Sequence, residues 1–577
     1  MTAIISALDN YTPTQSGENG YIEYTWSNNI RESILQFSFQ VTRTNEYGVR
    51  ELEFKLTEFL NKLKNLVVSS SILERQFAKE LLSILYRMIG HTRDIIDGKG
   101  ECTLTYMMIH TWHKFFPQLA CFALKCLVDL GDKNTHQYGS WKDIKYFCDY
   151  CKNQGESLLH PLIQYSVQLI NEQLKKDILP ETPNVSLLVK WVPREKSKFG
   201  WLYETLACNY FKEIMETADT YDRKRKAILK CKTQYRKILS WLNEYIDTLQ
   251  IKQCNKTWSQ IDFNKVTSIS LLKQKKAFLN TTKEGTVRFS DDQDRIICAE
   301  NFRNHIKQSI SDKVEIKGKR IGMADFVKQA YNIFLQDEQE YERDLLNSQW
   351  RDSSTQTGAL GKMIAMVDVS GSMEGDPMNV AIALGIRISE KSTLGNRIMT
   401  FSSTPKWVNL DNCSDFVSKV DVIKSAPWGY STNFKEALLL ILDSIVLNKI
   451  APKDVEDMIL VVLSDMQMDE ADSCNKKVLY EDIKEKYAKA GIRAHGEAYK
   501  PPHILFWNLR STTGFPCLSS QLNCSMMSGF SPALLNLFCE HGLDALQSFT
   551  PWSVLEKTLE NDRYKILGNR LEEEIEI

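Results

Sequence analysis

Asp368-Val369-Ser370-Gly371-Ser372 is the stretch of this 577-residue chain best equipped for chemistry. It is an Asp-x-Ser-x-Ser loop closing the apolar run Lys362–Asp368 (KMIAMVD), and open α/β sheets place ligands at the C-terminal ends of buried strands. Two other segments complement it. Gly429–Phe434 (GYSTNF) offers the Thr432 hydroxyl in a turn before a helix, and Leu463-Ser464-Asp465 ends a second apolar run in a carboxylate. Three short hydroxyls and two carboxylates make a hard-cation site, since Mg²⁺ takes about six oxygens and keeps several waters. Ser370, Ser372 and Thr432 would ligate directly, while Asp368 and Asp465 would hold coordinated waters and orient the loop. Neutral ligands leave the ion electron-poor, which favours an anionic ligand from outside, such as an acidic side chain exposed on a partner protein. The set holds no Cys or His, so the expected ion is Mg²⁺, with Mn²⁺ or Ca²⁺ as the other hard candidates.

The elements needed to position these residues are visible in the hydrophobic pattern. After Gly361 the chain alternates short apolar runs with helical stretches. The runs are Lys362–Asp368, Arg397–Phe401, Met458–Leu463 and His503–Trp507; the stretches include Asn379–Ser389 and Phe434–Leu447. Strands buried on both faces and alternating with helices predict a mostly parallel, Rossmann-like α/β sheet. Before Asp352 the period is 3.6. Phe77, Leu81, Ile84, Leu85 and Met88 form one stripe, with Gly90 as its expected C-cap. Leu119, Phe122, Ala123, Cys126 and Leu127 form another, closed by Gly131. Ile163, Val167 and Ile170 form a third, and Trp241, Tyr245 and Leu249 a fourth. Many helices with short connections predict an α-helical repeat of HEAT-like type with degenerate repeats. The expected organisation is an irregular segment at 1–20, a helical repeat domain at 21–351, a linker at 352–361, an α/β domain at 362–549 and a helical acidic tail at 550–577.

Composition limits the function classes. The chain is 43% hydrophobic and 25% charged, as in ordinary globular proteins rather than disordered or collagenous ones. With 72 Lys+Arg against 73 Asp+Glu it is no uniformly basic nucleic-acid coat. No apolar run approaches the roughly 20 residues a bilayer needs, and the N-terminus has no signal-peptide pattern, so no membrane partner is expected. Fourteen scattered cysteines fit reduced thiols and an intracellular, cytoplasmic setting. Charge is polarised, however. Lys190–Ser290 carries a net of +11 and Gly361–Ile577 a net of -7. Arg223, Lys224, Arg225, Lys226, Lys230, Lys232, Arg236 and Lys237 form a basic tract on one helix, with Tyr221, Tyr235 and Trp241 nearby to stack on bases. That tract suits structured or single-stranded RNA, and it equally suits a solvated helix face.

Weaker motifs carry less. Cys148-x-x-Cys151 has no second pair at zinc spacing, and His110 and His113 share a helix face without a visible third ligand. Gly358–Lys362 (GALGK) lacks Walker spacing, and Ser372 has neither a nucleophile elbow nor an evident base, so no catalytic residue is expected.

The order Asp368, Ser370, Ser372, Thr432, Asp465 resembles the metal-ion-dependent adhesion site of von Willebrand factor A domains over roughly 361–549. One departure is Ser464-Asp465-Met466-Gln467 in place of the more usual Thr-Asp-Gly. Segments such as Tyr138–Asp143 (YGSWKD), Lys190–Glu195 (KWVPRE) and Trp258–Phe263 (WSQIDF), together with VDVSGSM, resemble an uncharacterised family catalogued as a domain of unknown function (2828), found in plants, fungi and giant DNA viruses. The layout is also similar to the Ro/TROVE class, in which helical repeats precede a von Willebrand A domain and bind RNA. These resemblances imply a non-enzymatic binding protein, its helical part gripping RNA or a ribonucleoprotein and its α/β part a protein partner through a divalent metal. The alternative is a pure protein-interaction scaffold, a virion component if the chain is viral.

Overall fold

The structure is a computed structural model. It describes residues 12–18, 20–132, 134–179, 184–311, 313–334, 340–401, 404–425, 434–456, 458–467, 479–512, 514–540 and 548–575. A helical region leads into a C-terminal α/β region, as the two periodicities require.

The described part of the chain starts with a small antiparallel hairpin, β1 (Thr14–Ser16) and β2 (Ile22–Tyr24). The expected irregular segment therefore contains a strand, whose partner bridges onward from Tyr24 to Phe515 in the α/β region. Helices follow. Those used below are α1 (Ile30–Gln40), α2 (Ile72–Arg93), α3 (Cys102–Phe115), α4 (Trp141–Asn153), α5 (Pro161–Asp177) and α6 (Tyr221–Tyr245). Their starts are capped by side chains that satisfy free backbone N–H groups, for example Asn29 on Arg31 and Glu32 and Ser71 on Glu74.

Gly90 is not the end of its helix: α2 runs on to Arg93. The glycine is there for close approach. A Cβ at this position would lie 2.9 Å from Leu567 Cδ1 and 3.0 Å from Tyr138 Cε2. Gly90→Ala should therefore destabilise by about 1–2 kcal/mol, since overpacking outweighs the gain in helix propensity. The midpoint of urea unfolding measures it, and an unchanged or raised midpoint would contradict this packing.

The α/β region is a six-stranded sheet in the order β5-β4-β3-β6-β7-β8. Its strands are β3 (Met363–Asp368), β4 (Arg397–Phe401), β5 (Lys406–Asn409), β6 (Ile459–Ser464), β7 (His503–Asn508) and β8 (Cys524–Ser528). All neighbours are parallel except edge strand β5. From β3 the chain first moves to β4 on one side and later returns to β6 on the other. The switch in strand order therefore lies between β3 and β6, where a crevice opens at the strands' C-terminal ends.

The two regions share their cores. On one sheet face Met366, Val462 and Phe506 belong to the same apolar cluster as Ile34, Leu60 and Trp112 of the helical region. On the other face Val367, Val461 and Leu505 pack with Phe326 and Trp350, from helices Met323–Phe334 and Glu340–Ser354. The expected linker at 352–361 thus begins inside a helix that belongs to the sheet's own core. Polar ties reinforce the junction. Buried Lys99 donates to Ser38 O, Val41 O and Ser528 Oγ at 2.7–2.9 Å, joining the end of α1 to β8. The last helix, α7 (Asp562–Glu574), docks Tyr564, Leu567 and Leu571 into the helical core and leaves only Glu572–Glu574 of its acidic end exposed.

Candidate metal centre

Register brings the two strand-end carboxylates together. Val367 pairs with Leu463 across β3 and β6, so Asp368 and the Ser464-Asp465 pair emerge side by side at the switch point. Asp368 Oδ1 accepts the Ser370 amide at 2.9 Å, which turns the chain back over the strand end. The Ser370 and Ser372 hydroxyls then face each other at 3.1 Å. Four of the five expected residues therefore converge. Thr432 lies outside the described residues.

Asp368, Ser370 and Asp465 are buried. The Asp368 carboxyl is pushed up to about 7, first by burial and then by the Asp465 carboxylate. Burial also raises Asp465. Asp465 Oδ1 accepts the Gln467 amide at 3.2 Å, but Oδ2 is buried without a hydrogen-bond donor. Two adjacent buried carboxylates with an orphaned oxygen form an arrangement that a cation relieves. The donor set is all oxygen, with two facing hydroxyls, so it fits a hard divalent ion.

Two residues of the site escaped the sequence reading of roles. Ser464 Oγ donates to Asp368 Oδ2 at 2.6 Å and fixes that carboxylate's orientation. Arg510, just past β7, donates to Ser372 O at 2.9 Å and sits 3.8 Å from Asp465 Oδ2. No spacing rule points to an arginine 138 residues from the loop it holds. The unusual Met466 has φ 64°, a left-handed conformation that glycine adopts at less cost. The turn after Asp465 is thus held at an expense of roughly 1 kcal/mol or more.

A cleft of about 660 Å³ opens beside Ser372, walled on the far side by Arg43, Tyr47 and Glu51 of the helical region and closed by Arg510. The site thus faces a groove built from both regions.

The basic tract lies on α6 as expected, but its members differ. Lys232 is half-buried and held by Glu195 and Glu204, Arg236 also pairs with Glu195, and Arg223 pairs with Asp219. Lys224, Arg225, Lys226, Lys230 and Lys237 are exposed with no ion pair among the described residues. Tyr235 is no base-stacking candidate. It is fully buried and donates to Asn171 Oδ1 at 3.1 Å, because it packs α6 onto its neighbours. Trp241 and Tyr245, expected as part of a core stripe, are instead exposed and stacked on one another at 5.8 Å. Tyr221 is exposed as well. Among the described residues no helix is long and apolar enough to cross a membrane.

The fold and site define an α/β domain with a carboxylate-and-hydroxyl centre at its topological switch, built onto a helical region. The sequence profile of a domain of unknown function (DUF7788) matches residues 362–569. An uncharacterised protein of Acanthamoeba polyphaga mimivirus is 28% identical over 504 residues, covering 83% of this chain and 79% of that protein. The chain is thus similar to uncharacterised proteins that include a giant-virus member.

Proposed function

We propose that the chain is a non-enzymatic binding protein whose α/β region is a von Willebrand A-like module with a metal-ion-dependent adhesion site. The observation that carries this reading is the convergence of Asp368, Ser370, Ser372 and Asp465, with Asp465 Oδ2 buried without a hydrogen-bond donor and Arg510 3.8 Å away. Thr432 completes the set in this reading. A bound Mg²⁺ supplies one coordination position for a carboxylate from a partner protein. The chain's residues do the rest. Ser370 and Ser372 offer neutral oxygens, Asp368 and Asp465 balance charge, and Ser464 and Arg510 hold the loop in place. The adjoining cleft, lined by Arg43 and Arg510 together with Glu18, Glu51 and Glu374, gives a partner's side chain access to the centre. Calorimetric titration with Mg²⁺ and Mn²⁺ is the test; absence of binding would remove the basis of the reading.

In the same proposal the helical region contacts RNA or a ribonucleoprotein through α6, in the manner of the Ro/TROVE layout. Lys226, Lys230 and Lys237 recur at helical spacing along one face, with the exposed Trp241–Tyr245 stack beyond them. Phosphates would meet the lysines and an unpaired base the aromatic pair. Titration of a labelled structured RNA across a salt series should give a slope of several units. Replacing all three lysines by alanine should lower that slope by roughly 2–3. No binding by the wild type at low salt would leave the pure protein-interaction scaffold as the surviving reading.

A further inference from the structure

We propose that His110, Glu156 and His160 form a second metal site, separate from the strand-end centre, that takes Zn²⁺ with His113 beside it as the fourth ligand. His110 and His113 lie one turn apart on α3, and Glu156 and His160 come from the loop between α4 and α5. The chain brings them together across more than 40 residues, which is why spacing alone shows only the first pair. His110 Nε2 is 3.0 Å from Glu156 Oε1, and His160 Nε2 is 3.6 Å from Glu156 Oε2. One donor atom from each of the three lies within 4.8 Å of the others. A tetrahedral Zn²⁺ with ligand bonds of about 2.0–2.1 Å sets its donors roughly 3.3 Å apart, so these three donors need to close by at most about 1.5 Å. The His113 ring centre is 5.0 Å from that of His160, within reach of a side-chain rotation.

The chemistry favours a transition ion over a hard one. Two or three imidazoles and one carboxylate are the ligands that Zn²⁺ selects, whereas Mg²⁺ prefers oxygen alone. His110 is almost fully buried, and its ring is flanked by Tyr150, which screens it from water. Glu156 is about one-third exposed, giving the ion a way in. The neighbouring cation Lys114 is engaged by Glu53 at 2.9 Å.

Two features bound the affinity. His160 Nδ1 accepts the Leu162 amide at 3.4 Å, a long cap that ligation through Nε2 would give up. His110 Nδ1 is buried with no acceptor among the described residues, so the proton it carries in the ligating tautomer is unsupported. Missing outer support of this kind costs about 10–100-fold in metal affinity. Cys148 and Cys151, the other soft pair in this region, are buried in the core and stay outside the cluster. An ion here would clasp α3 to the loop that precedes α5.

The test uses the full chain, stripped with chelator and then held in excess Mg²⁺ so that the oxygen site is saturated. Co²⁺ titration, read by its visible d–d absorption, should show one saturable equivalent with a tetrahedral spectrum that Zn²⁺ displaces. Glu156→Gln, which keeps the side-chain shape at a part-exposed position, and His160→Ala should each weaken binding at least about tenfold. Asp368→Asn should leave it unchanged, which separates this site from the strand-end centre. The proposal is overturned if the wild type gives no saturable Co²⁺ spectrum, or if either Glu156→Gln or His160→Ala binds with unaltered affinity. The first result would reduce the cluster to histidines hydrogen-bonded to Glu156.

Discussion

Asp368→Asn should cut Mg²⁺ and Mn²⁺ affinity by at least about 100-fold while making the metal-free protein more stable at pH 8. Both effects follow from one buried carboxyl. Asp368 is wholly buried beside Asp465, and its carboxyl is raised from 3.8 to about 7. A carboxyl whose folded-state pKa exceeds its unfolded value binds its proton more tightly when folded. The contribution of Asp368 to metal-free stability is therefore greatest below pH 4, falls as pH rises towards 7, and levels off above. A shift of this size corresponds to up to about 4 kcal/mol at pH 8. Asparagine removes that charge. Its Oδ1 can still accept the Ser370 amide, and its Nδ2 can donate to Ser464 Oγ after the hydroxyl turns. Divalent binding has the opposite pH dependence, because Asp368 must lose its proton to hold coordinated water. Wild-type affinity should thus rise between about pH 4 and pH 7. Calorimetry and metal-dependent thermal melts at pH 5.5 and pH 8 read both arms. Equal Mg²⁺ binding by variant and wild type would sink the assignment of Asp368 to the centre.

The strand-end half of this site was legible because a parallel strand buried on both faces is a continuous apolar run, and a carboxylate closing such a run is conspicuous. Asp368 and Asp465 both announce themselves in this way. Ser464 was visible as a letter but not as a partner, since its bond to Asp368 crosses from β6 to β3. Arg510 was invisible for the same reason on a larger scale. Helical periodicity located helices well but misjudged faces. The Trp241–Tyr245 repeat is apolar and helical, yet α6 buries Ala227, Cys231, Tyr235 and Leu242 instead. Aromatic residues satisfy both a core pattern and a surface one, and only the neighbouring helix decides between them. Gly90 misled because glycine's two uses, ending a helix and admitting a close neighbour, look alike in sequence. The boundary between regions was read from a change of period and a polar stretch. Period reports the local element and says nothing about which core that element joins: helix Glu340–Ser354 sends Leu345 into the helical region and Leu346 and Trp350 against the sheet.

Arg563→Ala should destabilise the whole chain by about 3–5 kcal/mol and release α7, because it strands a buried charge at the junction between the regions. Arg563 grips Asp94 with two parallel bonds, Nε to Oδ2 at 2.6 Å and Nη2 to Oδ1 at 2.7 Å. Asp94 is fully buried at the end of α2, with Tyr564 OH donating to it at 3.2 Å. Tyr138 OH donates to Arg563 O at 2.6 Å, and Arg563 also donates to His136 O. Removing the guanidinium leaves the buried Asp94 carboxylate with the Ile96 amide, the Tyr564 hydroxyl and only the less direct charge of Arg320, which is the costly half of a buried pair. Charge reversal is no remedy, but Arg563→Ala combined with Asp94→Asn should recover part of the loss, since the neutral amide no longer demands a cation. A surface ion pair would behave differently, with single losses below about 1 kcal/mol and no rescue. Hydrogen exchange should show amides of 562–574 losing protection in the single variant. Far-reaching cooperativity is the expected signature: the midpoint for the α/β region should fall with that for the helices, because Leu567 and Tyr564 share one apolar cluster with Met366 and Phe506. Independent unfolding of the two regions would show that this continuity does not couple them energetically.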